Sequence, residues 1–318
     1  MELQIKKRNE NLDVIKGICA YLVIIIHCGF PFWPAYIDAF CRVAVPLMFM
    51  ISGYFCKGEW KEIKRKVTNL LRIFIAGEGL YFIYNLLVQG DQWRVWLQYE
   101  ISPATFSGLL IYNDTSIFMA GWFLVSLMYT YLLFGVFAQF GMKKQSYILI
   151  PLLIVWQWGW QRAAMLLRMD LNFYDVKVFR AIPFFLLGNF FQYQKGVIKE
   201  KLSKNAGYVL MAVGTFLVFF ERLLIEQLVF KPALFLYLGN VVLAIGCFVW
   251  AITEKEIKLL KPVAYVGKNL SLYIYVIHMW IFGMLGKTDE MTYIFQVCII
   301  STLVSWVLYR VGLMIRNK

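Results

Sequence analysis

The sequence predicts an all-α integral membrane protein with about ten transmembrane helices. Of its 318 residues, 61% are hydrophobic and only 16% are charged, whereas soluble domains average about 25% charged residues. The apolar residues fall into separate runs, most of which are long enough for a helix to cross the hydrocarbon. Because a soluble core would not bury so many separate runs, we expect a single membrane domain over residues 1–318, surrounded by the lipid bilayer.

The charge distribution predicts the orientation of these helices. Three basic residues precede the first apolar run, which places the N-terminus in the cytoplasm by the positive-inside rule. In the resulting layout the cytoplasmic segments hold 19 Lys and Arg residues and the outer segments hold 8. We therefore expect a multi-pass protein of the cell membrane. The predicted helices are residues 12–30, 36–55, 67–88, 117–140, 146–160, 181–193, 207–224, 233–252, 263–285 and 293–315.

The first three helices are bounded by turn and charge signals. Pro31 and Pro34 bracket the turn after the first helix, and the second helix carries Arg42 and a predicted kink at Pro46. A basic segment, the clearest predicted cytoplasmic loop, precedes the third helix. Its basic residues are Lys57, Lys61, Lys64, Arg65 and Lys66.

The later helices alternate in the same way. Residues 89–116 form the longest polar connection, and their Trp and Tyr side chains are typical of segments at the membrane interface. The layout is weakest at the fifth and sixth helices, because the outer loop between them carries four basic residues. These are Arg162, Arg168, Lys177 and Arg180, which either line a polar cavity or mark an error in the local topology.

The chain has two histidines, His27 and His278, and both lie within apolar runs. An ionisable side chain at membrane depth is costly unless it is paired, and it therefore marks a candidate functional site. Imidazole commonly takes a proton from an attacking hydroxyl, so we predict His27 as a general base. For both residues the alternative is a packing role, with the ring bonded to a neighbouring carbonyl.

Four more charged residues of the apolar runs are candidates. Lys16 and Arg72 would attract an anionic ligand, although lysines near helix ends also extend to the interface without any task. Arg42 and Glu78 are opposite charges in successive helices, so they either form an ion pair or act separately. In the second case Glu78 would orient a catalytic base.

Metal and nucleic-acid sites are not predicted. The six cysteines form no CxxC pair, and the two histidines are far apart in the sequence without a cluster of carboxylates. The net charge of +13 lies in short connections between apolar runs. We interpret that charge as a topology signal and not as a surface for nucleic acid.

Five stretches together resemble acyltransferase family three, integral membrane enzymes that O- or N-acylate envelope polymers and other acceptors. The first helix reads LDVIKGICAYLVIIIH, which is similar to the family's opening motif of a basic residue, ten residues and a histidine. The other four stretches follow in the family's order. They are VPLMFMISGYF in the second helix, GWFLVSLMYTYLLF in the fourth, IPFFLLGNFF in the sixth and VGKNLSLYIYVIH in the ninth.

This resemblance implies a cytoplasmic acyl-CoA donor, such as acetyl-CoA, and a hydroxyl or amine acceptor at the outer face. His27 matches the family's catalytic histidine, and His278 matches the family's position in the ninth helix. Lys16 stands where the family usually has arginine, and Asn69 and Arg72 stand at its Arg-x-x-Arg motif. These three residues would hold the donor's phosphates. Lysine contacts phosphate as a point charge, whereas arginine does so bidentately. The lysine at position 16 and the asparagine at position 69 therefore bear on how the donor binds.

A narrower resemblance links the chain to the membrane domains of vancomycin-resistance membrane serine racemases, through the short N-terminus and the segment FCRVAVPLMFMISGYF. In those bacterial proteins a cytoplasmic racemase domain follows the last helix. The alternative function is therefore uptake of a small molecule such as L-serine, with a possible cytoplasmic domain after Lys318. A membrane acyltransferase is the leading prediction, because His27 and the stretches in the second, fourth and ninth helices are intact.

Overall fold

The computed structural model describes residues 9–169, 176–227, 234–286 and 291–316. Every regular element in these ranges is helical, which confirms the predicted all-α class for the described residues. The α-helices are α1 (Glu10–Cys28), α2 (Pro34–Cys41), α3 (Ala44–Tyr54), α4 (Trp60–Gln89), α5 (Trp93–Glu100), α6 (Pro103–Ser107), α7 (Trp122–Gln139), α8 (Lys143–Ser146), α9 (Leu149–Leu166), α10 (Val178–Tyr193), α11 (Lys195–Lys201), α12 (Lys204–Glu226), α13 (Leu238–Thr253), α14 (Lys261–Tyr265), α15 (Ser271–Leu285) and α16 (Met291–Arg316). Short 3₁₀ segments are Gly90–Gln92, Met119–Gly121 and Lys258–Leu260, and π segments are Gly108–Tyr112 and Val266–Leu270.

Six segments of the described chain are long and apolar enough to cross a membrane. They are Glu10–Cys28, Pro34–Tyr54, Trp60–Gln89, Met119–Gln139, Lys204–Glu226 and Met291–Met314. A seventh crossing results if Leu238–Thr253 and Lys258–Leu285, which are bent by 117° against each other, form one span.

The structure therefore supports six or seven of the ten predicted crossings. Two predicted crossings correspond to α9 and α10. Both are helical, but they are too short or too polar to count as membrane spans. The helix α10 has only 16 residues, and polar Gln157, Gln161 and Arg162 interrupt the apolar run of α9. The crossings beyond these seven and the cytoplasmic N-terminus stay predictions.

The predicted polar connection over residues 89–116 is largely helical. It contains α5, α6 and two shorter helical segments. The start of α6 follows from its sequence, because the Ser102 side chain accepts a hydrogen bond from the Thr105 amide and Pro103 occupies the first helical position. Helices this short have no long apolar run, so hydropathy alone misses them.

The second predicted helix is broken between α2 and α3, at Arg42 and Val43. Pro46 explains the position of the break. It has no amide hydrogen for the carbonyl of the residue four positions earlier, and its ring would clash with that carbonyl in a continuous helix. That residue is Arg42. The predicted kink is thus a turn that ends α2 at the arginine.

The described chain divides into two compact units. The first unit is Met1–Ile51, Tyr193–Gln227 and Tyr237–Lys318, and the second is Ser52–Gln192 and Leu228–Leu236. Both histidines lie in the first unit.

In the first unit α12 and α13 pack backbone against backbone, because each presents glycines to the other. A β-carbon added to Gly214 would lie 2.4 Å from the Leu243 amide nitrogen, and one added to Gly246 would lie 2.6 Å from the Met211 amide nitrogen. Small residues that let backbones approach are the usual interface of membrane helices. The contact brings the end of α12 beside the start of α13.

In the second unit a buried asparagine ties together α3, α10 and the Tyr147 segment. The Asn189 amide donates to the carbonyls of Gly53, at 3.2 Å, and Cys56, at 2.7 Å, and its oxygen accepts from the Tyr147 hydroxyl at 2.9 Å. Gly53 itself has room only for hydrogen, since an added β-carbon would lie 1.9 Å from the Phe185 carbonyl oxygen. The Gly53 carbonyl of α3 and the Cys56 carbonyl just after it are therefore both bonded by a side chain from α10.

Replacing Asn189 by leucine is expected to destabilise the second unit by about 1–3 kcal/mol, because the Cys56 carbonyl loses its side-chain donor and the Gly53 carbonyl keeps only the Cys56 amide. The measurement is the thermal midpoint of unfolding of the purified protein in detergent. Asn85→Leu is the matched control, because the Asn85 side chain on α4 makes no hydrogen bond to the described residues. Equal midpoints for the two variants would contradict the structural role of Asn189.

Candidate functional site

In the first unit α1 makes a close contact with α14 and with the π segment Val266–Leu270, which continues directly into α15. A β-carbon added to Gly17 would lie 2.3 Å from the Val263 carbonyl oxygen, and one added to Gly267 would lie 1.8 Å from the Asp13 carbonyl oxygen. The two backbones therefore touch at these glycines. From this contact α1 and α15 place one histidine each at the far end of α1.

His27 and His278, which are 251 positions apart in the sequence, form a pair. Their ring centroids are 5.2 Å apart and their planes are inclined by 43°. His278 is buried, with 1% of its surface exposed, whereas His27 is half-buried. The sequence singled out both residues, and the structure shows that they are neighbours. Imidazole rings at this distance can share a substrate or a proton.

The surroundings of His278 determine which of its nitrogens carries the proton. Nδ1 lies 3.1 Å from the Ile274 carbonyl oxygen and 2.8 Å from the Tyr275 carbonyl oxygen. Because both neighbours are acceptors, Nδ1 is assigned as the donor. In the neutral ring Nε2 then carries the lone pair, and it is a buried atom without a hydrogen-bond partner among the described residues. His278 thus satisfies the predicted structural hydrogen bond and still presents a free acceptor.

An ion pair lies beside this histidine pair. Arg42 donates from Nε to Asp38 at 2.7 Å and from Nη2 to the other carboxylate oxygen at 3.1 Å, so the pair is bidentate. Both charges act electrostatically on His27. The carboxylate partner of Arg42 is therefore Asp38, which lies four residues earlier in α2. An ion pair with Glu78 is not needed to pair this arginine.

A second set of polar groups comes from the end of α12 and the start of α13. The Tyr36 hydroxyl donates to Glu226 at 2.7 Å, and Arg222 lies 3.7 Å from the same carboxylate. Arg222 also donates a hydrogen bond to Tyr237, which in turn feels the charges of Arg42 and Asp38. This set and the Arg42 ion pair are therefore linked through Tyr237, and we call them together the polar cluster. Glu221 adjoins it, because its carboxylate accepts a hydrogen bond from the Gly239 amide at 3.2 Å. Arg42 and Arg222 each have a carboxylate partner, so both cations are held in paired positions.

Sequence reasoning missed five members of this cluster, Tyr36, Asp38, Arg222, Glu226 and Tyr237. A signal for three of them was present. Asp38 and Arg42, and likewise Arg222 and Glu226, are opposite charges four residues apart, a spacing that puts both on one helix face. Such pairs within otherwise apolar helices indicate a buried polar site. Nothing in the sequence marks Tyr237, whose place depends on the contact between α12 and α13.

Lys16 lies on the same helix as His27, eleven residues earlier, which is about 16 Å along the axis. Its side chain is half-buried. The predicted separation along one continuous helix is thus confirmed, because α1 runs unbroken from Glu10 to Cys28. The role of Lys16 in holding donor phosphates stays a prediction.

The other predicted site residues belong to the second unit. Asn69 and Arg72 are exposed on α4. Glu78 is half-buried on the same helix, accepts a hydrogen bond from the Phe118 amide, and lines a cavity of about 420 Å³ together with Glu100. Within one unit, then, the structure brings together the two histidines and Arg42 but none of these three, whose donor-binding and base-orienting roles stay predictions.

Cys56 follows α3 and is the cysteine nearest to a polar network of the second unit. Burial raises the pKa of its thiol to about 11, which keeps the sulfur protonated at neutral pH. A protonated, buried thiol is a poor nucleophile. The Cys56 thiol is therefore not activated as a nucleophile by its surroundings.

Comparison with protein families identifies the family of this chain. An acyltransferase-domain model, that of acyltransferase family three, matches residues 9–310. The chain belongs to acyltransferase family three. No curated protein and no solved structure matches it significantly. Together with its spanning helices, the family three domain makes the protein a multi-pass membrane acyltransferase in general terms.

The five family three stretches form two clusters in the fold. Those of the first and ninth predicted helices meet in the first unit, at Gly17 and Gly267. The end of the second-helix stretch meets the sixth-helix stretch in the second unit, where Gly53 touches Phe185, and the Tyr131 ring of the fourth stretch packs on Phe185 at 5.1 Å. The stretches that carry the family resemblance are thus the segments that contact one another.

Proposed function

We propose that this membrane acyltransferase transfers an acyl group, acetyl in the simplest case, from acyl-CoA to a hydroxyl or amine acceptor. The donor enters from the face where α1 begins, which the charge distribution predicts to be cytoplasmic. The acceptor binds at the opposite, outer face, where α1 ends. The observation that carries the proposal is the pairing of His27 with His278 beside the Arg42 ion pair.

His27 acts as the general base. A ring N–H of His27 that turns towards the free lone pair of His278 leaves its other nitrogen without a proton. That nitrogen takes the proton of the acceptor as the acceptor oxygen or nitrogen attacks the thioester carbonyl carbon. The C–S bond then breaks, the acyl group stays on the acceptor, and the departing CoA thiolate receives the proton from the His27 imidazolium.

Arg42 stabilises the charge that develops during this step. The carbonyl oxygen becomes an oxyanion in the tetrahedral intermediate, and a fixed cation in a water-poor site lowers its energy. The bidentate contact with Asp38 holds the guanidinium in place, so little reorganisation is needed when the charge appears. In the same way, the Glu226 carboxylate holds the Arg222 guanidinium in place at the end of α12.

The test is release of free CoA thiol from acetyl-CoA by the purified protein in lipid nanodiscs, with and without added envelope acceptors. We expect thiol release above the rate of empty nanodiscs, stimulated by the true acceptor and dependent on His27. If acetyl-CoA neither binds nor turns over, and the protein instead binds L-serine or supports its uptake with His27 replaced, the acyltransferase mechanism fails and the transport alternative replaces it.

His278 is expected to be a positioning residue for His27. Replacing it with phenylalanine keeps the ring but removes the lone pair, so kcat for thiol release should fall by about 10-fold or more while KM for acetyl-CoA stays the same. His278→Gln restores an acceptor oxygen and should recover part of kcat. A purely structural role would lower the folded yield of both variants equally and leave kcat of the folded fraction unchanged.

A further inference from the structure

A buried asparagine of the first unit, Asn240, bonds the helix that carries the Arg42 ion pair. Its amide nitrogen donates to the Ala39 carbonyl at 2.9 Å, across 201 positions of sequence, and only 1% of its surface is exposed. Ala39 lies next to Asp38 in the last turn of α2, and Arg42 ends that turn. Asn240 therefore contacts the backbone of the turn that positions the Arg42 guanidinium.

The break after α2 explains why the Ala39 carbonyl needs a side-chain donor. In a continuous helix the Val43 amide would bond this carbonyl, but at the break it bonds the Phe40 carbonyl at 3.2 Å instead. A buried carbonyl without a donor costs free energy, so a donor from another element is favoured. Carbonyls point towards the C-terminal end of their helix, which places the Asn240 amide at the end of α2 where Arg42 lies.

The first turn of α13, on which Asn240 lies, is itself held against α12. A β-carbon added to Gly239 would lie 2.3 Å from the Val218 amide nitrogen, and the Gly239 amide donates to the Glu221 carboxylate. Tyr237, which immediately precedes α13, belongs to the polar cluster. Asn240 thus extends from a turn that is fixed on α12 to the end of α2.

Stability alone does not account for an asparagine at position 240. The Asn240 oxygen is buried without a hydrogen-bond partner among the described residues, and an unsatisfied buried acceptor costs free energy. The bond made by its nitrogen is therefore offset by the unsatisfied oxygen. Asn189 of the second unit differs, because its nitrogen and its oxygen are both bonded. What Asn240 contributes is a directional contact that fixes the end of α2 relative to α13.

We propose that Asn240 is a positioning residue for Arg42 in the proposed acyl transfer, on which this inference rests. A cation stabilises an oxyanion effectively only if it is already fixed where the charge develops. A displacement of about 1 Å in a positioning contact lowers a rate by up to about 100-fold. The Asp38 carboxylate fixes the guanidinium relative to α2, and Asn240 fixes α2 relative to α13. The two contacts together hold the cation beside His27.

The test variant is Asn240→Leu, which keeps a similar side-chain size but has no donor. Asn240→Ala removes the same donor without the larger apolar side chain and is measured alongside. We expect kcat for acceptor-dependent thiol release to fall by about 10-fold in both variants, while KM for acetyl-CoA stays the same. Asn189→Leu is the matched control. It should lower the thermal midpoint more than Asn240→Leu does and should keep the wild-type kcat in its folded fraction.

A double-mutant cycle with Arg42→Gln distinguishes positioning from general damage to the fold. If Asn240 acts through Arg42, adding Asn240→Leu to Arg42→Gln should lower kcat by less than about 2-fold, because the group that it positions is already absent. The same 10-fold loss with and without Arg42 would overturn the proposal. An unchanged kcat in the single variant Asn240→Leu would overturn it as well.

A spectroscopic readout tests the same contact without turnover. In nanodiscs that contain ¹⁵N-arginine-labelled protein, the Nε–H signal of Arg42 is assigned by its loss in Arg42→Gln, and it reports the hydrogen bond to Asp38. We expect Asn240→Leu to shift or broaden this signal and Asn189→Leu to leave it in place. An unaltered signal in Asn240→Leu would contradict the positioning role. If the signal responds but the wild-type protein releases no CoA thiol, Asn240 still positions Arg42 and the proposed function fails.

Discussion

Replacing His27 with glutamine is expected to lower thiol release from acetyl-CoA by about 10²–10⁴-fold, the contribution of a positioned general base. Glutamine has a similar length and polarity but takes up no proton at neutral pH. The acceptor would then have to attack without losing its proton. The measurement is the steady-state rate of CoA thiol release with a saturating acceptor, after correction for the rate in empty nanodiscs.

The matched control for His27 is Ser301→Ala on α16. Ser301 is fully buried in the same unit, and its hydroxyl has no hydrogen-bond partner among the described residues. Its removal should leave both the thermal midpoint and the rate unchanged. A His27→Gln protein that keeps the wild-type rate would remove His27 from the reaction, whatever the control shows.

Replacing Gly214 with alanine is expected to separate α12 from α13 and to cost about 3 kcal/mol or more. The added β-carbon would clash with backbone atoms of Leu243. Backbone atoms, unlike a side chain, cannot avoid a clash by changing rotamer. Since Arg222 and Tyr237 flank this contact, the polar cluster beside His27 should lose its geometry together with the helix pair. The thermal midpoint and the rate of thiol release should both fall.

Gly159→Ala on α9 is the control for that substitution. A β-carbon at Gly159 would meet no atom within 4 Å. Alanine is also the better helix former, so this variant should be as stable as wild type or slightly more so. If both alanine variants melt at the wild-type temperature, the close approach of α12 and α13 is not a source of stability.

The positions of the long helices follow from the sequence because an apolar run of about 20 residues has few alternatives. The helices α1, α7, α12 and α16 lie close to their predicted ranges, whereas α4 begins seven residues before its predicted start and includes much of the basic segment predicted as a loop. Shorter elements are less predictable. The helices α5 and α6 depend on local capping, such as that by Ser102, and the break at Arg42 depends on a proline that the sequence places four residues later.

The candidate site was predictable only in part. His27, His278 and Arg42 stand out because charged or titratable groups are rare in apolar runs. Their mutual distances are not visible in the sequence, because they arise from packing between segments that are far apart along the chain. Asp38 and Arg222 stand out less, because both lie near the ends of predicted helices, where a charge is not unusual. In the structure the ion-pair partner of each residue lies one helical turn away along the chain, so both charges are paired without water.

The glycine contact on α1 also explains why a spacing along this helix matters. Gly17 touches the backbone around Val263 and Gly267. This contact fixes both the rotation of α1 about its axis and its position along that axis relative to α14 and α15. His27 is ten residues further on, and each residue turns the helix by about 100°. Adding or removing one residue between them would swing the imidazole away from His278. The number of residues between Gly17 and His27 therefore sets the position of the imidazole relative to His278.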